Sequence, residues 1–91
     1  MAPKVQISSI KTDVFNRIIN QLTAEGWQRK NVYNGMDAWI DYGRLDLVKD
    51  GAKKLFFEWD NWDEGLVQGP EDLLDRLCEN YGLEAPRVAE D

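Results

Sequence analysis

The chain has 91 residues, a net charge of −6, a hydrophobic fraction of 43 %, one cysteine and no histidine, which predicts a single folded domain over residues 1–91. One cysteine cannot form an intrachain disulfide, so we expect a cytoplasmic protein. No apolar run reaches the roughly 20 residues that cross a bilayer, so we expect no membrane partner. The absence of histidine removes the commonest catalytic base. Residues 1–54 carry a net charge of +3 and residues 55–91 a net charge of −9, and so acidic a half argues against direct binding of nucleic acid.

A first helix is predicted within Ser9–Glu25. Ser9 or Thr12 could cap its start, and Gly26 suits the left-handed residue that follows a helix end. Trp27 would then occupy the position that packs back on the helix in a Schellman motif. Apolar residues recur in this segment at steps of three and four and predict one apolar face: Ile10, Val14, Phe15, Ile18, Ile19 and Leu22.

A hairpin is predicted after this helix. Asn34-Gly35 separates two strand-like segments, 28–33 and 36–42, and this dipeptide is typical of a two-residue hairpin turn. Such a turn would pair Arg29 with Ile40. The residues of the second strand that would face the core are Met36, Ala38, Ile40 and Tyr42.

A second hairpin is predicted around Asp50-Gly51. A three-residue loop places Leu47 opposite Leu55 and Leu45 opposite Phe57, which aligns the apolar residues of both strands. A two-residue loop would place Leu47 opposite a lysine, so the longer loop is expected. The inward side chains of the third strand would be Leu55, Phe57 and Trp59.

The remaining chain predicts a short fourth strand near residues 66–67 and a second helix. Pro70 suits the first position of this helix, and Gly82 suits its end. Residues 1–8 and 84–91 are expected to be loose termini. The apolar stripe of the helix consists of Leu73, Leu74, Leu77, Cys78 and Tyr81.

The element order α-β-β-β-(β)-α predicts an α+β fold class. We expect an antiparallel meander of three to four strands, flanked by an N-terminal and a C-terminal helix that both pack on one sheet face. The opposite sheet face would then be partly apolar among charged residues. Its apolar members would be Val32, Trp39, Val48 and Phe56.

The segment 55–64 carries the densest functional signal. It contains four aromatic and four acidic residues and no basic residue. Phe57 and Trp59 are expected in the core, which accounts for half of the aromatic residues. Tryptophan is enriched among interface anchors, and charges around it steer association. The predicted partner-binding residues are therefore Trp39, Phe56, Glu58, Asp60, Trp62, Asp63 and Glu64.

The carboxylates of this segment also raise chemical hypotheses. Residues 60–65 resemble a calcium loop, but Trp62 stands where the EF-hand pattern needs an oxygen ligand. Glu58 and Asp60 would lie about 7 Å apart on one strand face, a spacing that suits a glycosidase pair but that any such acidic pair shares. Cys78 has no histidine partner, and no glycine-rich phosphate loop is present. We therefore expect no enzyme, no cofactor and no metal.

These observations predict a small, acidic, non-catalytic protein-binding module. Its partner would be another protein with a basic surface. A concrete version is an inhibitor or immunity-type protein whose acids replace nucleic-acid phosphates on a basic target such as a nuclease. Two alternatives remain open: a homodimeric structural or assembly protein that pairs through its exposed sheet face, and a small enzyme or calcium-dependent domain. The chain would be a monomer or a homodimer.

Overall fold

The computed structural model describes residues 4–33, 35, 42–51, 53–83 and 86–88. The elements in chain order are β1 (Lys4–Ile10), α1 (Thr12–Ala24), β2 (Gln28–Lys30), β3 (Tyr42–Lys49), β4 (Lys53–Asp60), β5 (Glu64–Pro70), α2 (Glu71–Tyr81) and β6 (Arg87–Val88). The strands form one antiparallel sheet in the order β2-β3-β4-β5-β1-β6. The predicted α+β class is therefore confirmed.

Strand β1 is the largest departure from the predicted order of elements. Its Val5 and Ile7 are 4 % and 2 % exposed and pair with Gly69 and Val67 of β5. The prediction that residues 1–8 are a loose terminus is therefore wrong from the start of β1 onward. Only Val5, Gln6 and Ile7 alternate between apolar and polar side chains. A pattern of three residues is too short to identify a strand whose partner lies some sixty positions further along the chain.

The C-terminal segment also contributes to the sheet. Arg87 and Val88 form the short strand β6 and pair with Gln6 and Val5 of β1. The prediction of a loose terminus over residues 84–91 is therefore wrong at β6. Residues 84–85 and 89–91 lie outside the described part of the chain.

Both helices pack on one face of the sheet and enclose a single core, as predicted. The ring of Phe15 on α1 meets Phe57 on β4 edge to face, with 5.8 Å between the ring centroids. This geometry suits the quadrupoles of two aromatic rings. The buried apolar side chains of the core are Val5, Ile7, Ile10, Phe15, Ile18, Ile19, Trp27, Leu45, Leu47, Leu55, Phe57, Val67, Leu74 and Leu77.

Helix α1 ends in the predicted Schellman motif. Gly26 has a φ of 104°, and the Trp27 backbone N–H donates to the carbonyl oxygen of Leu22 at 3.1 Å. The N–H of Gly26 donates to the carbonyl oxygen of Thr23 at 3.2 Å, which completes the paired hydrogen bonds of this motif. Trp27 is thereby buried at the end of the helix.

Neither helix, within the described residues, has the length and apolar character needed to cross a membrane.

The β3–β4 hairpin has the predicted register. Leu47 pairs with Leu55 and Leu45 with Phe57, so both strands place their apolar residues on the helix-covered face. Lys49 pairs with Lys53 at the end of the ladder, which leaves a three-residue loop. The physical reason is the one used in the prediction: a shift of one residue would move every apolar side chain to the opposite face.

The predicted hairpin around Asn34-Gly35 is wrong in its register. Arg29 of β2 pairs with Leu47 of β3, not with Ile40, and residues 36–41 lie outside the described residues. The prediction that Tyr42 faces the core is also wrong. The pairing of β3 with β4 is continuous from Tyr42 to the core residue Leu45, so Tyr42 lies on the sheet face away from the helices. The Asn-Gly dipeptide favours a turn between adjacent residues. The register of β2 depends instead on β3, whose position is set by its ladder with β4.

The close approach of α1 to β5 generates the first testable prediction. A Cβ atom added at Gly65 would overlap the ring of Phe15. We expect Gly65→Ala to lower the free energy of unfolding by about 1–3 kcal/mol, because it overpacks a filled core. Urea denaturation measures this change. In a Phe15→Leu background the additional cost of Gly65→Ala should be smaller, and an equal cost in both backgrounds would contradict the proposed contact.

Candidate functional site

The sheet face opposite the helices, here called the open face, carries polar pairs among a few apolar residues. Gln68 Nε2 donates to Gln6 Oε1 at 3.0 Å. Phe56 lies half-buried between Gln68 on one neighbouring strand and Asp46 on the other. The residues of strands β1, β3, β4 and β5 that contribute to the open face include Gln6, Tyr42, Arg44, Asp46, Val48, Phe56, Glu58, Leu66 and Gln68.

Glu58 is held on the open face by Tyr42. The Tyr42 hydroxyl donates to Glu58 Oε2 at 2.8 Å. Burial raises the pKa of Tyr42, and the hydrogen bond and negative charge of Glu58 raise it further. The phenol therefore stays protonated and remains a donor. Glu58 keeps its second carboxylate oxygen for another contact, since a carboxylate accepts through both oxygens.

Asp46 is a buried acid that the sequence analysis did not single out. Its side chain accepts a hydrogen bond from Asn31 Nδ2 at 2.8 Å, and Lys54 Nζ lies 3.4 Å from the same carboxylate oxygen. Asp46 is 6 % exposed, so these partners offset the cost of burying its charge. The feature of the sequence that could have identified Asp46 is its position between Leu45 and Leu47, the two core residues of β3.

The turn between β4 and β5 presents a tryptophan on a fixed backbone. Asp60 Oδ1 accepts the backbone N–H groups of Trp62 at 2.9 Å and Asp63 at 2.5 Å. This local hydrogen bonding is the way in which aspartate stabilises a turn. The Trp62 side chain is 78 % exposed, whereas most large apolar side chains of the described residues are buried or half-buried. Asp63 is also exposed.

Glu64 caps helix α1. Its Oε2 accepts the backbone N–H of Thr12 at 2.8 Å and lies 3.3 Å from the Thr12 hydroxyl. The N-cap residue, Lys11, makes no side-chain cap, so the expected cap by Ser9 or Thr12 is wrong. A carboxylate at this end also interacts favourably with the helix dipole.

Trp59 and the backbone of Glu64 support this cap. Trp59 Nε1 donates to the Thr12 hydroxyl oxygen at 2.9 Å. Glu64 has a φ of 61°, a left-handed conformation that is uncommon outside glycine, asparagine and aspartate. Glu64 adopts it where the chain passes from the turn into β5, and the same residue makes the tertiary contact with Thr12.

Four of the predicted site residues line one shallow depression, here called the acidic depression. Its volume is about 240 Å³. Ser8 and Ser9 of β1 contribute hydroxyl groups, and none of the described residues that line it is basic. This arrangement can accept hydrogen bonds from a cationic group such as a lysine or arginine side chain. The four acidic residues of the acidic depression are Glu58, Asp60, Asp63 and Glu64.

The other predicted site residues lie elsewhere. Trp62 is exposed at the tip of the turn beside the acidic depression. Phe56 immediately precedes the core residue Phe57 on β4 and lies on the open face. Trp39 lies outside the described residues. The predicted set therefore divides into a turn with its acidic depression and a separate aromatic position on the sheet.

Two observations on the described residues concern metal ligation and thiol chemistry. They contain no group of three or more cysteine, aspartate or glutamate side chains placed to hold a metal ion. Burial raises the pKa of the Cys78 thiol, and the charges of Asp75 and Glu79 raise it further. The thiol therefore stays protonated at neutral pH, which is the opposite of an activated nucleophile.

Comparison with known proteins adds no relative: neither a protein-family model, nor a curated protein, nor a solved structure matches this chain.

The helix cap generates a prediction that separates structure from binding. We expect Glu64→Met to lower the free energy of unfolding by about 0.5–2 kcal/mol, because it removes the acceptor for the Thr12 N–H. Glu64→Gln retains an acceptor oxygen and should lose less. Urea denaturation measures both, and Trp62→Ala, which changes an exposed side chain, should stay within about 0.5 kcal/mol of the unsubstituted chain. Equal stability of Glu64→Met and Glu64→Gln would contradict the cap.

Proposed function

We propose that this chain is a small, non-catalytic protein-binding module whose β4–β5 turn contacts a basic surface of another protein. The observation that carries the proposal is the 78 % exposure of Trp62 beside the acidic depression. Tryptophan is enriched among the residues that dominate binding energy at interfaces. A partner that covers Trp62 would remove this apolar area from water.

The turn is organised before any partner arrives. The two backbone hydrogen bonds to Asp60 hold Trp62 and Asp63, and the Glu64 contact with Thr12 anchors the end of the turn to α1. A rigid contact surface loses less conformational entropy on binding. This supports a binding function for a turn that carries one large aromatic side chain.

Charge supports a basic partner. The acidic depression lies beside Trp62, and α2 adds an exposed acidic surface in the same C-terminal half of the chain. Such a field attracts a cationic protein and speeds its association. An inhibitor or immunity-type protein that covers the basic surface of a target such as a nuclease is the concrete form of this proposal. The exposed acids of α2 are Glu71, Asp72, Asp75 and Glu79.

The test compares baits that differ by one side chain. The unsubstituted chain, Trp62→Ala, Asp63→Asn and Glu79→Gln are immobilised and exposed at low salt to extract from cells that encode the chain. We expect a basic protein to be retained by the unsubstituted chain and to fall by roughly tenfold with Trp62→Ala, which removes the interface anchor. Quantitative mass spectrometry of the bound proteins measures the ratio.

Glu79→Gln is the matched control, because it removes one exposed acid far along α2 with the same charge change as Asp63→Asn. Its retention should fall less than that of Asp63→Asn, because Glu79 lies outside the β4–β5 turn, and high salt should weaken binding of every bait. A basic protein retained by Trp62→Ala and by Asp63→Asn as well as by the unsubstituted chain, or no basic protein enriched at low salt, would exclude the proposal.

A homodimer through the open face is the second candidate. Phe56 and Val48 lie half-buried there, and none of the described helices covers them. We nevertheless expect a monomer of 10.5 kDa by light scattering at micromolar concentration, because neighbouring polar groups such as Gln6 and Gln68 already bond to each other. Twice this mass, restored to the monomer by Phe56→Ser, would favour the homodimer.

A further inference from the structure

A groove between the two helices, here called the interhelical groove, lies at the end of β4 away from the acidic depression. Its volume is about 200 Å³. One face of α2 forms a wall, since its contributing residues follow the helical spacing from Leu73 to Tyr81. The apolar residues that line the groove are Leu22, Trp27, Leu55, Leu73 and Leu77.

Three cations from three elements, β3, β4 and α2, converge on this groove. Lys49 and Lys53 pair directly across the β3–β4 ladder, on the row next to the buried pair Leu47 and Leu55. Arg76 reaches it from α2, whose other charged residues are all acidic. Within the described part of the chain, none of these three cations has a carboxylate at ion-pair distance.

The arrangement of the two lysines is unfavourable without a counterion. Like charges directly opposite each other across two strands repel. The neighbouring Lys54 differs, because it faces the open side of the sheet and pairs with Asp46. An anion between Lys49 and Lys53 would relieve this repulsion and would also approach Arg76.

Tyr81 and Glu25 also line the groove. The Tyr81 hydroxyl donates to Gln21 Oε1 at 2.7 Å and links the two helices. Burial raises the pKa of Tyr81, and the charge of Glu25 raises it further, so the phenol stays protonated. Tyr81 follows Arg76 by five residues, about 7.5 Å along the helix axis. Glu25 is the one acid among the described residues that line the groove.

We propose that the interhelical groove binds a small organic anion with an apolar body, namely an aromatic or short-chain carboxylate. The carboxylate would lie among Lys49, Lys53 and Arg76, and the apolar body would contact the leucine floor. An engineered apolar cavity of roughly 150 Å³ binds benzene, so a groove of about 200 Å³ accommodates a ring of this size. No residue of the groove belongs to the β4–β5 turn, and this proposal is independent of the protein-binding function.

The test uses benzoate and its neutral analogue benzyl alcohol as probes of the full chain. Two-dimensional ¹⁵N NMR follows the backbone signals and the indole signal of Trp27 during each titration. We expect benzoate to shift the signals of residues lining the groove and to bind at least about fivefold more tightly than benzyl alcohol. Lys53→Gln and Arg76→Gln should each weaken benzoate binding by roughly three- to fivefold, the range of a single exposed charge contact.

Lys30→Gln is the matched control, because Lys30 is an exposed cation on β2 that does not line the groove. It should bind benzoate as the unsubstituted chain does. Unchanged signals away from the groove establish that each variant keeps its fold.

Three results would overturn the proposal. The first is the absence of benzoate-induced shifts in the groove. The second is equal binding of benzoate and benzyl alcohol, or undiminished binding by both Lys53→Gln and Arg76→Gln. The third is a set of groove shifts that appear without a probe as protein concentration rises, which would assign the groove to a second copy of the chain.

Discussion

The approach of Phe15 to the backbone of β5 is the contact on which the rest of the fold depends. Gly65 leaves the space that the ring occupies, and Val67, the next residue of the core face, is fully buried between Ile7 and Phe57. A larger residue at position 65 would push α1 away from the sheet. The helix cap at the candidate site depends on this contact, because the packing of α1 on the sheet brings the backbone N–H of Thr12 to Glu64, the first residue of β5.

The acidic residues of the β4–β5 region divide by role once α1 is docked. Glu64 caps the helix and Asp60 holds the turn, so both carboxylates have partners within the chain. Glu58 receives the Tyr42 hydroxyl and keeps one oxygen for another contact. Trp62 and Asp63 are the residues that the turn presents outward. The surface available for a partner is therefore smaller than the acidic composition indicates, and its backbone is held in place.

Strand β4 separates two regions of opposite charge. Glu58 and Asp60 of the acidic depression follow Lys53 of the interhelical groove by five and seven residues along β4, which is about 17–24 Å. Because the two regions share no residue, each can bind a ligand of its own charge preference.

Local and paired patterns explain which predictions were right. The end of α1 at Gly26 was predictable because a Schellman motif involves only adjacent residues. The β3–β4 register was predictable because aligning Leu47 with Leu55 is the choice that keeps all apolar residues on one face. Strand β1 and the pairing of β2 were missed, since their partners lie far along the chain and their own alternation is short.

Periodicity, turn residues and composition were sufficient to predict the α+β class, two amphipathic helices, the β3–β4 hairpin and the concentration of acids and aromatics after residue 54. Three roles depend instead on tertiary packing: Glu64 caps α1, Asp46 is buried, and Arg76 joins the two lysines at one groove. Such roles require residues tens of positions apart to meet, and the packing of both helices on one sheet face makes them do so.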